Sequence, residues 1–137
     1  MASAPDSSSS AKILVVDDER AVVDFVSRVL RSAGYTTMTA TSGEAAIALC
    51  DRHGIPTMLL TDLKMPRMEG DVLASRLKPR DPNLKVLYLT GFAEQLFRNR
   101  ASLPDGEAYL EKPCTIDGLL GAVSLLLRDE GTSALDC

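Results

Sequence analysis

The chain is poor in the residues that most readily declare a function. Cysteine occurs only as Cys50, Cys114 and Cys137, odd in number and without a Cys-x-x-Cys pair. Neither a disulfide framework nor a zinc site is indicated, and a reducing, cytoplasmic setting fits best. The single histidine, His53, lies in the polar run Asp51-Arg52-His53-Gly54, where a solvated loop position suits it better than a role as ligand or base. No apolar run is long enough to cross a bilayer. No long basic run accompanies the net charge of -4, so neither a membrane nor a nucleic-acid backbone is an expected partner. The Gly-x-Gly-x-x-Gly and Gly-x-x-x-x-Gly-Lys patterns are missing as well, which removes the usual cradles for dinucleotides and nucleoside triphosphates.

What is present is an ordinary globular composition. Apolar residues make up 45% and charged residues 25% of 137, enough for one domain with a real core. The opening stretch Met1 to Ser10 is small, polar and serine-rich, with neither a basic start nor an apolar centre. Residues 1–11 are therefore expected to be a disordered leader rather than a signal peptide. Residues 129–137 are a polar-leaning tail, too short for an output domain, which leaves residues 12–128 as the folded unit.

Within that unit, strand-like and helix-like periods alternate. Ile13-Leu14-Val15-Val16 is a short apolar strand, followed by Asp17-Asp18-Glu19 and a helical stripe of Val22, Phe25, Val26, Val29, Leu30 and Ala33 that Gly34 stops. Thr36 to Ala40 is a weaker strand, and Thr41-Ser42-Gly43-Glu44 has the spacing of a capping box for a helix to about Arg52. The run Thr57 to Thr61 delivers Asp62. A helix from about Asp71 to Lys78 is closed by Pro79 and Pro82. Leu84 to Thr90 is a fourth strand, and a less apolar helix from Ala93 to Ala101 places Ala93, Leu96, Phe97 and Ala101 on one side. Ala108 to Glu111 is a fifth strand, and Thr115 caps a last helix with Ile116, Leu119, Leu120, Val123 and Leu127 on one face. Five such units with short connections predict an α/β fold, a doubly wound five-stranded parallel sheet with helices on both faces.

In such a sheet, ligand-handling groups gather at the carboxyl ends of the strands. Those ends are Asp17 and Asp18 after the first strand, Asp62 after the third, Thr90 at the fourth and Lys112 after the fifth. Three convergent carboxylates repel one another, and a cation is the simplest remedy. A few hard oxygen ligands with room for water suit Mg²⁺, with Mn²⁺ as a substitute. Such a site matches an aspartyl phosphate, with Asp62 as nucleophile, the metal and Lys112 neutralising the phosphoryl oxygens, and the Thr90 hydroxyl donating a hydrogen bond.

Asp-Asp, Asp-x-x-Met-Pro-x-Met-x-Gly, Thr and Tyr-x-x-Lys-Pro occur here in that order, from Asp17 to Pro113. In this the chain resembles the receiver domains of response regulators in two-component signalling, over about Lys12 to Arg128. The resemblance implies the flavodoxin-like (βα)5 topology with strand order 2-1-3-4-5. It also implies phosphorylation of Asp62, magnesium contacts from Asp17, Asp18, Asp62 and the backbone carbonyl of Lys64, phosphoryl contacts from Thr90 and Lys112, a switch formed by Thr90 and Tyr109, and a cis bond before Pro113. The implied partners are a histidine kinase or histidine phosphotransfer protein, with a downstream target or a second copy reading the 92–128 face. Gly91 stands where receivers often have alanine, and Cys114 where phenylalanine often follows Lys-Pro. The Thr90-Gly91-Phe92 run is similar to receivers attached to hybrid sensor kinases.

A different class, the Mg²⁺-dependent phosphatases with an aspartate nucleophile, places a second aspartate two residues after the first as general acid. Here Lys64 follows Asp62 and Glu19 follows Asp17 at that spacing, so turnover on outside substrates is not expected. An interaction module with a vestigial site would lack site residues, and none is lacking.

Overall fold

Ile13-Leu14-Val15-Val16, Met58-Leu59-Leu60 and Val86-Leu87-Tyr88-Leu89 are apolar at consecutive positions. Because side chains alternate between the faces of a strand, such runs require cover on both sides. The computed structural model, which describes residues 11–91, 93–97 and 102–128, provides it with one parallel sheet in the order β2-β1-β3-β4-β5. The chain runs β1 (Lys12–Val16), α1 (Arg20–Ser32), β2 (Thr36–Ala40), α2 (Gly43–His53), β3 (Met58–Thr61), α3 (Gly70–Leu77), β4 (Lys85–Thr90), β5 (Glu107–Glu111) and α4 (Ile116–Arg128). Short 3-10 helices occupy Lys78–Arg80 and Ala93–Phe97. This is the flavodoxin-like, doubly wound arrangement.

Alternate residues of the same strands feed two cores. Ile13, Val15, Met58 and Leu60 pack with Val26 and Leu30 of α1 and with Leu119 and Val123 of α4. On the other face, Leu14, Val16, Leu59 and Tyr88 pack with Ala46 of α2, Leu73 and Leu77 of α3, and Leu96 of the 3-10 helix Ala93–Phe97.

The structure moves several helix assignments by a residue. Phe25, expected in the core stripe of α1, is 43% exposed, and Val23 and Ser27 take buried places instead. In α4, Ile116 is 50% exposed, and Leu126 rather than Leu127 is buried beside Leu119 and Val123. α1 and α4 also touch each other, so the buried face of each borders a helix as well as the sheet. The cap of α2 is Ser42, not Thr41, and the Ser42 hydroxyl accepts from the Ala45 amide at 3.0 Å. The strand before it ends at Ala40, so the extended cap residue falls one position later. His53 is the exposed last residue of α2, before Gly54 at φ 91°, a backbone angle that suits glycine.

The fourth crossover differs in kind. Ala93–Phe97 is a 3-10 helix, and residues 98–101 of the expected helix lie outside the described residues. The leader through Ser10 and residues 129–137 also lie outside them. Ala11, the last leader position, is buried and its carbonyl accepts from the Thr36 amide. Among the described residues, no helix is long and apolar enough to cross a membrane.

Candidate functional site

Each strand that ends at the carboxyl edge leaves one polar residue there, held by the backbone. Asp62 follows β3, and its amide donates to the Val16 carbonyl at 2.9 Å. Asp17 follows β1, and its amide donates to the Ala40 carbonyl. Lys112 follows β5, and its amide donates to the Thr90 carbonyl at 3.0 Å. These bonds extend the ladder by one residue, so the side chains emerge in fixed directions. Asp17, Asp18 and Asp62 each offer a carboxylate oxygen, and these oxygens all lie within 4.8 Å of one another. Asp17 and Asp62 are buried, at 2% and 7% exposure, whereas Asp18 is exposed.

Among the described residues, Lys112 brings a cation to the cluster. The Lys112 ammonium donates to Asp17 Oδ2 at 2.9 Å and stands 3.6 Å from Asp62 Oδ1. Asp62 Oδ1 also accepts from the Leu63 amide at 2.8 Å, and Asp17 Oδ1 from the Glu19 amide at 2.9 Å. The balance still leaves excess negative charge. Burial, aided by the Asp17 charge and more weakly by Asp18, pushes the Asp62 carboxyl up to about 6 against the opposing pull of Lys112 and the Leu63 amide. Burial works against the Lys112 ammonium too, but its bond to Asp17 and the charges of Asp17, Asp62 and Glu19 outweigh that and hold its pKa above the usual lysine range.

The β3 to α3 loop is built to hold Asp62 still. Thr61 donates its hydroxyl to the Asp62 carbonyl at 2.8 Å, and the Gly70 amide donates to the Leu63 carbonyl at 2.8 Å. A Cβ at Gly70 would run into the Asp62 carbonyl oxygen, so that position tolerates only glycine without a backbone shift. Pro66 to Met68 form a γ-turn, with the Met68 amide on the Pro66 carbonyl and Arg67 at φ 69°, a sparsely populated conformation for a residue with a side chain. The turn tucks Met65 and Met68 into the core.

The remaining expected site residues are spread around this centre. Thr90 is fully buried at the end of β4. Lys64 lies two residues past Asp62, its ammonium 3.5 Å from Glu69. The Lys112–Pro113 peptide is cis. Tyr109 is in β5 and 42% exposed, its ring edge-to-face with Phe97. A Cβ added at Gly91 would meet nothing within 4 Å. The neighbours that sequence reasoning passed over are Thr61, Leu63 and Glu19, which act through hydroxyl or backbone amide. Their residue types carry no signal for that role. An apolar groove of about 470 Å³ also opens beside Lys112, lined by Val22, Phe25, Leu89, Pro113 and Cys114.

A cation fits this donor set. Three hard carboxylate oxygens with one ammonium among them, one carboxyl already pushed toward protonation, are what a divalent ion with oxygen preference would relieve. Asp17, Asp18 and Asp62 would hold it.

The chain is similar to the sensor kinase CckA of Brucella abortus, 32% identical over 93% of this chain and 14% of the kinase. It is also similar to the response regulator receiver protein CpdR of the same organism, 30% identical over 85% of this chain and 96% of that protein. A crystal structure of the receiver domain of the hybrid histidine kinase CckA aligns with TM-score 0.72 and 28% identity, covering 85% of this chain and 99% of that one. The chain spans about half the length of TcrX of Mycobacterium tuberculosis, named a probable transcriptional regulatory protein. A family model described as the response regulator receiver domain matches residues 13–124. With its parallel 2-1-3-4-5 sheet and its acidic cluster at the carboxyl edge, the chain belongs to the response regulator receiver domain family.

Proposed function

We propose that this domain accepts a phosphoryl group from a phosphohistidine of a histidine kinase or histidine phosphotransfer protein onto Asp62, in a Mg²⁺-dependent reaction within a cytoplasmic phosphorelay. The observation that carries the proposal is the Asp62 carboxylate itself, buried and 3.6 Å from the Lys112 ammonium, with two further carboxylates beside it. An Asp62 oxygen attacks phosphorus as the phosphorus–nitrogen bond breaks; the bonding pair returns to the ring nitrogen, and the histidine, protonated on its other ring nitrogen, departs as neutral imidazole. The attacking group is fixed by the Leu63 amide and the Thr61 and Gly70 contacts, so little reorganisation precedes attack. Lys112 stands ready to pair with the phosphoryl oxygens. Thr90, at the same edge, donates its hydroxyl to them. Asp17, Asp18, Asp62 and the Lys64 carbonyl would hold the metal, Mg²⁺ or in its place Mn²⁺, which when bound would offset the phosphoryl charge.

Turnover of outside substrates is not part of the proposal, because Lys64 stands where the aspartate-nucleophile phosphatases need an acid. The output is a changed protein surface over residues 92–128. There Tyr109 and Ile116 are large apolar side chains exposed to solvent, available to a downstream protein or a second copy. The name of the kinase CckA supports the choice of donor.

Intact-mass measurement after mixing with acetyl phosphate and Mg²⁺ tests the central step. One phosphoryl increment is expected in wild type, with none in Asp62→Asn and none when magnesium is chelated. An increment that survives in Asp62→Asn would overturn the assignment.

A further inference from the structure

Thr61, the last residue of β3, is fully buried and pairs with Val16 and Tyr88 in the sheet. Both neighbours belong to the core under α2 and α3, a place where an apolar side chain would be ordinary. Thr61 brings a hydroxyl there, and the hydroxyl donates to the Asp62 carbonyl at 2.8 Å. The consequence lies at the other end of the peptide. The Asp62 carbonyl and the Leu63 amide form one planar unit with C=O and N–H pointing in opposite directions, so fixing the first fixes the second. The Leu63 amide in turn donates to Asp62 Oδ1 at 2.8 Å. One hydroxyl in the strand therefore sets the direction of the amide that holds the carboxylate.

The surroundings keep this peptide from turning. The Asp62 amide is bonded to the Val16 carbonyl and the Leu63 carbonyl accepts from the Gly70 amide, so the chain is anchored on both sides of the unit. A Cβ added at Gly70 would run into the Asp62 carbonyl oxygen and lie 3.1 Å from Thr61 Cγ2. The carbonyl and the threonine methyl thus share the space that glycine leaves open, and the branched side chain has little rotamer freedom. Resting on the phospho-acceptor reading above, we propose that Thr61 is a positioning residue for phosphoryl transfer: its hydroxyl, acting through the Asp62–Leu63 peptide, keeps the Leu63 amide on Oδ1 and so aims the Asp62 carboxylate. Lys112 stands 3.6 Å from the same oxygen, but on a flexible stem; the peptide is rigid. Without the hydroxyl the peptide tilts, the amide drifts from Oδ1, and the carboxylate spends less of its time in the attacking orientation.

The test compares the whole chain as wild type, Thr61→Val, Thr61→Ala and Thr61→Ser. Intact-mass time courses with acetyl phosphate and saturating Mg²⁺ give the rate of phosphorylation, and ¹H–¹⁵N spectra follow the Leu63 amide. Val29→Ala, a core change in α1 on the other face of the sheet, controls for lost stability alone. Thr61→Val and Thr61→Ala should be phosphorylated about two- to tenfold more slowly, the scale of one hydrogen bond, with the Leu63 amide proton shifted upfield. Thr61→Ser keeps the donor and should keep the wild-type rate and the Leu63 resonance, and Val29→Ala should move neither. Should one hydroxyl-free variant fail to fold, the other decides. The proposal is overturned by a wild-type rate without the hydroxyl, by Thr61→Ser slowing as much as Thr61→Ala, by Val29→Ala slowing equally, or by slowing with an unmoved Leu63 amide. If wild type itself gains no phosphoryl group beyond the Asp62→Asn blank, the phospho-acceptor reading fails and takes the role of Thr61 with it.

Discussion

Replacing Asp62 by asparagine should make the metal-free domain more stable, even though it removes the residue on which the function rests. The carboxyl is raised from 3.8 to about 6, so at neutral pH the folded state holds an ionised group that it would rather hold protonated. The sign follows from proton counting. Between pH 3.8 and about 6 the folded state binds more protons than the unfolded chain, so stability falls as pH rises through that window and stays low above it. The full shift corresponds to about 3 kcal/mol. Asp62→Asn keeps the shape and removes the charge, and Lys112 is not orphaned, because it retains its 2.9 Å bond to Asp17. Urea unfolding in EDTA, followed by circular dichroism, should show Asp62→Asn about 2–3 kcal/mol more stable than wild type at pH 7.5 and within about 0.5 kcal/mol of it near pH 4. Saturating Mg²⁺ should close the gap at pH 7.5, since wild type gains binding energy that the variant lacks. A variant that is equal or less stable at pH 7.5 without metal would refute the electrostatic account of the site.

Asp18→Ala should weaken Mg²⁺ binding at least tenfold while leaving the fold intact, because Asp18 is exposed; isothermal titration calorimetry reads this directly, and unchanged affinity would return Asp18 to a surface role. Gly70→Ala should destabilise by about 2–4 kcal/mol in urea unfolding, since its methyl meets the Asp62 carbonyl. Leu126→Ala should cost about 2–5 kcal/mol and Leu127→Ala much less, which checks the face of α4 that is buried.

The parts of this molecule that were legible in its sequence share a physical feature: a period that leaves no choice. Short apolar runs bounded by turn residues suit strands covered on both faces, and once β1, β3, β4 and β5 are parallel, Asp17, Asp62, Thr90 and Lys112 must leave the sheet at one edge. Topology brings Asp17 and Lys112 to one edge, but β3 and β4 lie between their strands, so their contact also needs the reach of the lysine side chain. Helix faces are different. The stripes of α1 and α4 were visible, but each stripe borders two surfaces, and Phe25 and Ile116 fell on the wrong side because the place where α1 meets α4 is not encoded in either helix separately. Thr41 and Ser42 posed a choice between adjacent hydroxyls that only the end of β2 could decide.

Glu107 is the most instructive omission. A glutamate at the first position of β5 looks like an edge residue facing water, yet it is buried against Lys78, a partner at the end of α3 that no local pattern could nominate. The pairing makes a prediction that separates a partnered charge from a merely tolerated one. Lys78 is about a quarter exposed on its side chain and Glu107 nearly fully buried, at 24% and 5%, so water can reach the cation but not the carboxylate. Lys78→Met should therefore be costly, about 3 kcal/mol, because it leaves Glu107 buried without a counter-charge. Adding Glu107→Gln in the same chain removes that stranded charge and keeps a polar group for the Tyr88 hydroxyl, so the double variant should recover at least half of the loss. Urea unfolding of the two single variants and the double variant closes the cycle. Strict additivity would show that the two side chains do not depend on each other, and that the 3.0 Å contact between Lys78 and Glu107 contributes nothing to the fold.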